Sequence, residues 1–237
     1  LDGVYLGRSA GLTADIADVQ AIEVLRGPQG TLYGRNTTGG AISIRSAQPI
    51  EEFSLKQKLS KGNRGYWRSL TQANIPLSDT LMMRAAFSRS AEDGWVENTG
   101  AGKDFGEQQK LAARIAIRWL VNDEVSIDYA YDQSEIEGGQ LAYQLTRTTN
   151  ANGAGFAPFA RESRQSSLSV NNLESSSDDV SGHSLVATWF VNDDLSVKSI
   201  TAYRDLDEFA YQDYSASAHH FSGGMFPSLV ASGAEIL

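Results

Sequence analysis

The chain has 237 residues, no cysteine, 22 glycines, 9% aromatic residues and a net charge of −9. The missing cysteines exclude a disulfide scaffold and thiol catalysis, and the acidic balance argues against a nucleic-acid partner, whose phosphates it would repel. No run of about 18 apolar residues occurs, so any passage through a bilayer must be made by strands.

Taken in chain order, Asp2 to Tyr5 reads as strand-like, Leu6 to Leu12 as a glycine-containing loop with Arg8, and Thr13 as the cap of a short helical turn through Val19. Ile22, Val24 and Leu25 read as a short buried strand, stopped at Arg26 by Gly27-Pro28. Gly27, Gly30, Gly34, Gly39 and Gly40 crowd the next interval and allow tight turns. Ile42 and Ile44 then resume strand alternation, and Pro49 closes the unit. A phosphate loop would need a helix and a lysine after its last glycine. Here Gly39-Gly40 is followed by Ala41-Ile42-Ser43, and the first lysine is Lys56.

The run IEVLRGPQGTLYGRNTTGGAISI resembles the plug signature of TonB-dependent outer-membrane receptors. Glu23, Arg26, Gly27, Pro28, Tyr33, Gly34, Gly39 and Gly40 fall on its positions, with Gly30 inside it, and Ser43 stands where relatives often have Asn. Asp2-Gly3-Val4-Tyr5 is similar to the plug strand that precedes the signature. The resemblance implies a mostly β protein: residues 1–49 as the C-terminal part of a small mixed α/β plug, and residues 50–237 as the N-terminal strands of a transmembrane antiparallel β-barrel of about 22 strands when complete. It also implies TonB-driven uptake of a scarce large ligand, such as a ferric siderophore, cobalamin or an oligosaccharide, across the outer membrane of a Gram-negative bacterium. Tyr5, Arg8 and Asp15 are then candidate ligand contacts, and Glu23 and Arg26 candidates for polar contacts with the barrel wall.

From Glu51 onward the chain reads as seven alternating segments: 51–61, 65–76, 80–91, 108–121, 125–135, 181–191 and 195–205. Most reach the roughly 9 to 11 residues that a tilted strand needs to cross a bilayer. Tight turns at PLSD, VNDE and VNDD alternate with longer connections, the signature of an outer-membrane barrel whose long loops face outward. WLVNDEVS at 119–126 is echoed by WFVNDDLS at 189–196, each setting a tryptophan where an aromatic belt would meet the inner interface.

A three-residue turn at Asn122-Asp123-Glu124 predicts pairs whose numbers sum to 246. Trp119, Ile117 and Ile115 then share a lipid face with Ile127, Tyr129 and Tyr131, while Arg118 meets Asp128 and Arg114 meets Asp132 on a wet face. A two-residue turn would mix the faces.

Residues 133–179 carry too little apolar content for a core and read as an extracellular loop in which Tyr143, Phe156 and Phe159 are candidate ligand contacts. Of the three histidines, His183, His219 and His220, the adjacent pair points oppositely in a strand and does not suggest a metal site. No G-x-S-x-G elbow and no carboxylate pair placed for acid–base work is present, so neither enzyme nor cofactor is expected. Leu1 is not an initiator methionine and the end lacks a completed strand pair, so the chain reads as a fragment, with the TonB-contact segment outside it. The alternative reading is an outer-membrane surface receptor or adhesin barrel without active transport.

Overall fold

The computed structural model describes residues 1–6, 17–34, 36–144, 161–171 and 173–210. An N-terminal hairpin pairs β1 (Val19–Arg26) with β2 (Gly40–Ser46), and one helical turn, α1 (Gly30–Tyr33), lies in the connection. Gly27 and Gly34 there have φ of 84° and 76°, the left-handed region that a side chain disfavours.

Seven strands follow in one antiparallel sheet: β3 (Ser54–Lys61), β4 (Trp67–Pro76), β5 (Leu81–Glu92), β7 (Gln108–Leu120), β8 (Val125–Gly139), β10 (Ser175–Asn192) and β11 (Leu195–Phe209). Each pairs with its neighbour in this order. Two short pieces, β6 (Glu97–Asn98) and β9 (Ser167–Leu168), lie in the long connections and pair with each other in parallel. Every register in the large sheet opposes even residues to even residues until a bulge after Phe190. Because strand side chains alternate, all even-numbered residues therefore share one face. The N-terminal hairpin sits on that face, and we call it inward. The odd face exposes Leu55, Phe87, Ile115, Trp119, Leu185 and Trp189, an apolar surface suited to lipid.

The predicted register at Asn122 is observed: Trp119 opposes Ile127 and Arg118 opposes Asp128. Asn122 Oδ1 accepts from the Glu124 and Val125 amides at 2.9 and 2.8 Å, which closes the turn. The echoed hairpin keeps the corresponding pairing of Trp189 with Val197 and differs only in the bulge beside its turn.

Several expectations need correction. Asp2 to Tyr5 is not a strand: Asp2 and Gly3 turn with φ of 49° and 84°, aiming the Asp2 carboxylate at Ser46. Val19 is a strand residue, not the end of a helical turn, while Thr13 lies outside the described residues. The β1 strand forms, yet its apolar side is not covered by the described residues, with Ile22 60% and Val24 64% exposed.

The loop reading of 133–179 also changes. β8 continues to Gly139 and β10 starts at Ser175, because backbone pairing persists where outward Glu135, Glu137 and Asp179 erase the apolar alternation. Above them residues 93–107 interlock with residues 161–171 and 173–174. Val96, Phe105 and Leu173, each at most 7% exposed, form a small core that neither loop could build alone. Asn98 staples the two: its Oδ1 accepts from Gly100 N and Val170 N at 3.0 Å each. The Arg164 guanidinium lies 4.7 Å from the Trp95 ring centre. Lys103 donates to Glu137 at 2.9 Å, and this bond, more than any other influence, holds the ammonium pKa above its ordinary value.

Candidate functional site between hairpin and wall

The most heavily buried charges in the described residues lie where the N-terminal hairpin meets the sheet. Asp18, just before β1, is 1% exposed. Arg84 of β5 grips it with both ends of its fork, Nε to Oδ2 at 2.5 Å and Nη2 to Oδ1 at 2.8 Å, and Gln72 of β4 adds a bond to Oδ1 at 2.7 Å. Such bidentate pairing fixes direction as well as charge. Beside it Ala17 packs on Ala86 and Ala112, whose small side chains form a floor that lets the hairpin's backbone come close.

A second link lies diagonally across β5 and β7. Asp2 accepts from Ser46 N at 2.8 Å and from Ser46 Oγ at 2.5 Å, so it closes the end of β2. Its Oδ2 also lies 3.3 Å from Arg114 Nη2, and Arg114 is 4% exposed. Arg114 also opposes Asp132 across the β7–β8 pair as expected, in an ion pair at 3.9 Å, and both terminal nitrogens of Arg204 donate to the same Asp132 carboxylate. The expected pair of Arg118 and Asp128 does form, at 2.6 Å. Third, Asn74 of β4, fully buried, clamps the stretch entering the sheet: it accepts from Ile50 N at 3.0 Å and donates to the Ile50 and Glu52 carbonyls at 2.7 and 2.5 Å.

The signature residues occupy the hairpin itself. Glu23 pairs with Arg45 on the neighbouring strand, so its partner belongs to the hairpin and not to the wall. Arg26 is exposed opposite Gly40 and makes no wall contact among the described residues. Gly27 donates its amide to Gly39 O at 3.3 Å and Gly34 to Gly30 O at 3.1 Å, bracketing the loop that holds Pro28 and Tyr33. Gly40 has φ of 148° with its Cα against the Leu25 carbonyl, an approach that any Cβ would block. Tyr5, about half exposed, accepts from Asn36 Nδ2 at 2.9 Å, and Tyr143 is exposed a few residues beyond the end of β8. Arg8, Asp15, Phe156 and Phe159, like His219 and His220, lie outside the described residues. His183 is on the outward face, its Nδ1 2.8 Å from the Tyr129 hydroxyl. No cluster of three metal-ligating side chains occurs among the described residues.

Asp2, Asp18, Gln72, Asn74 and Arg84 were not singled out from the sequence. For Gln72, Asn74 and Arg84 the available signal was polar residues at even positions of β4 and β5, inside strands whose odd positions are mostly apolar.

An antiparallel wall that is apolar outside and polar inside, with a small hairpin unit seated on the polar face, is the architecture of a plugged outer-membrane barrel. The model of the TonB-dependent receptor plug domain matches residues 1–41. The chain is similar to the pesticin receptor of Yersinia pestis, 32% identical over 111 residues, which make up 46% of this chain and 16% of that protein. It is also similar to the ferrioxamine B receptor of Salmonella typhimurium, 28% identical over 159 residues, 62% of this chain and 22% of that one. Among solved structures, the ferric yersiniabactin uptake receptor of Yersinia pestis superposes with a TM-score of 0.65 at 24% identity, covering 79% of this chain and 28% of its own. The pyoverdine-bound receptor FpvA of P. aeruginosa gives 0.68 at 16% identity, covering 86% and 26%. The chain thus spans about a quarter or less of the length of these curated relatives. The plug-domain match over residues 1–41, the partial similarity to these receptors and the shared fold agree with one another: the chain is similar to TonB-dependent outer-membrane receptors.

Proposed function

We propose that the receptor takes up a ferric siderophore across the outer membrane, driven through TonB, with residues 1–49 as the C-terminal part of the plug and 50–237 as barrel strands and extracellular loops. It works as a transporter and not as an enzyme. The observation that carries this reading is the seam itself: among the described residues the plug is tied to the wall through Asp18 and Asp2, on an alanine floor, and not through a broad apolar interface. Links of this kind part under a pull and re-form in a wet lumen without exposing apolar area. Similarity to a ferrioxamine B receptor and to the fold of a ferric yersiniabactin uptake receptor favours an iron chelate over cobalamin or an oligosaccharide. Tyr5 and Tyr143 are the described residues we assign to ligand contact.

Uptake of radioactive iron by iron-starved cells carrying the full-length receptor tests this. Uptake should require both a supplied siderophore and TonB. Binding of the siderophore with no TonB-dependent entry would contradict transport and favour the surface-receptor alternative.

A further inference from the structure

The chain as a whole is acidic, with a net charge of −9, yet its wall is not acidic inside. The inward positions of the seven strands carry nine Lys or Arg against five Asp or Glu, and the outward positions two against five. The sequence has thus moved its strand cations to the lumen. Two of them, Arg84 and Arg114, flank the alanine floor on adjacent strands, with Gln72 beside Arg84. At rest their partners are carboxylates of the plug, Asp18 and Asp2. The occupation is incomplete: Arg114, 4% exposed, keeps its buried Nε without a hydrogen-bond partner among the described residues.

We propose that this socket, Arg84 and Gln72 with Arg114 across the floor, is a second binding site that takes an anionic ferric chelate in transit once the plug's carboxylates withdraw. Asp18 and Asp2 stand in the resting state for the acidic groups of the cargo. The inference rests on the uptake reading and adds to it the charge of the cargo. Guanidinium forks suit it because they bind carboxylates and other planar oxyanions bidentately. Plug and cargo then compete for the same donors, so the wall cations keep a counter-charge before, during and after passage. The net positive inward face of these seven strands draws the same class of solute along the wall.

The test uses the full-length receptor in planar bilayers, with Asp2→Asn and Asp18→Asn to loosen the plug while leaving the wall arginines in place. The double variant should conduct with a preference for chloride over potassium, and ferric citrate should block the current where a neutral ferric trihydroxamate does not. Adding Arg84→Gln and Arg114→Gln should weaken the block by about tenfold or more, the size expected for losing a charge-assisted hydrogen bond, and reduce the chloride preference. Block unaffected by the arginine changes, equal block by the neutral chelate, or a cation-preferring channel would overturn the proposal. A double variant that passes no current would overturn it as well, since the carboxylates would then not hold the seam. This measurement needs no TonB and no energised membrane, so it can fail while uptake stands, and uptake can fail while it stands.

Discussion

The plug seam and the two-loop cap join chain segments far apart in sequence, and they do it by opposite means. At the seam, Asp18 meets Arg84 and Asp2 meets Arg114 over alanines, so the joint is a few strong directional links with little apolar area beneath them. In the cap, Val96, Phe105 and Leu173 share a dry core and the backbones pair, with Glu97 and Asn98 against Ser167 and Leu168. A joint of the first kind fails link by link and can be remade, whereas one of the second kind fails as a unit. The seam has the design of something that moves, and the cap of something that stays.

The largest effects should come from breaking the seam on one side only. Asp18→Ala leaves the Arg84 guanidinium, 14% exposed, without its counter-charge, and breaking a buried pair this way costs about 3 to 5 kcal/mol. Cells carrying that variant of the full-length receptor should admit large antibiotics that the wild type excludes. In the cap, Phe105→Ala should destabilise locally by about 3 kcal/mol, near the lower end for aromatic truncation because this core is small. Limited proteolysis should then cut within 93–107 or 161–174 while antibiotic exclusion is unchanged. If that variant leaked, the two regions would not be independent.

Smaller changes sharpen the contrast. Asn74→Ala removes the three bonds that pin Ile50 and Glu52 and leaves buried amide and carbonyl groups unmet, at about 1 to 3 kcal/mol for each group that water cannot reach. Hydrogen exchange should rise at residues 50–52 and not in the cap. Smallest is Arg118→Ala. The pair with Asp128 lies within the wall and touches neither plug nor cap, so only about 0.2 to 1 kcal/mol should be lost, seen as a slight fall in the temperature at which the barrel unfolds.

The wall was legible in the sequence because its information is local. Alternating apolar residues define each strand, and the odd-length turn at Asn122 fixes the register that sets Arg118 opposite Asp128. The extent of β8 and β10 was not legible, since above Tyr131 and His183 the outward positions turn polar while pairing continues without a signal in side chains. The cap was missed for a related reason: its three core residues come from two loops, each too polar to suggest a core alone. The seam was half legible. Alternation gave the face on which Arg84 and Arg114 lie, but Asp18 is 66 residues from Arg84, and nothing local says which acid answers which base. The signature at 22–44 drew attention to Glu23 and Arg26. Glu23 is satisfied by Arg45 within the hairpin, and the described links to the wall are made by the aspartates that precede the signature.

A double-mutant cycle on Asp18 and Arg84, read as leak of a large antibiotic through the full-length receptor, tests most directly whether the plug is held by separable ionic links. Asp18→Ala and Arg84→Ala should each raise the leak, and the double variant should leak no more than either, with a coupling of about 3 kcal/mol as expected for partners in one buried pair. Leaks that simply add, or single variants as tight as the wild type, would show that the seam is held by something other than this pair.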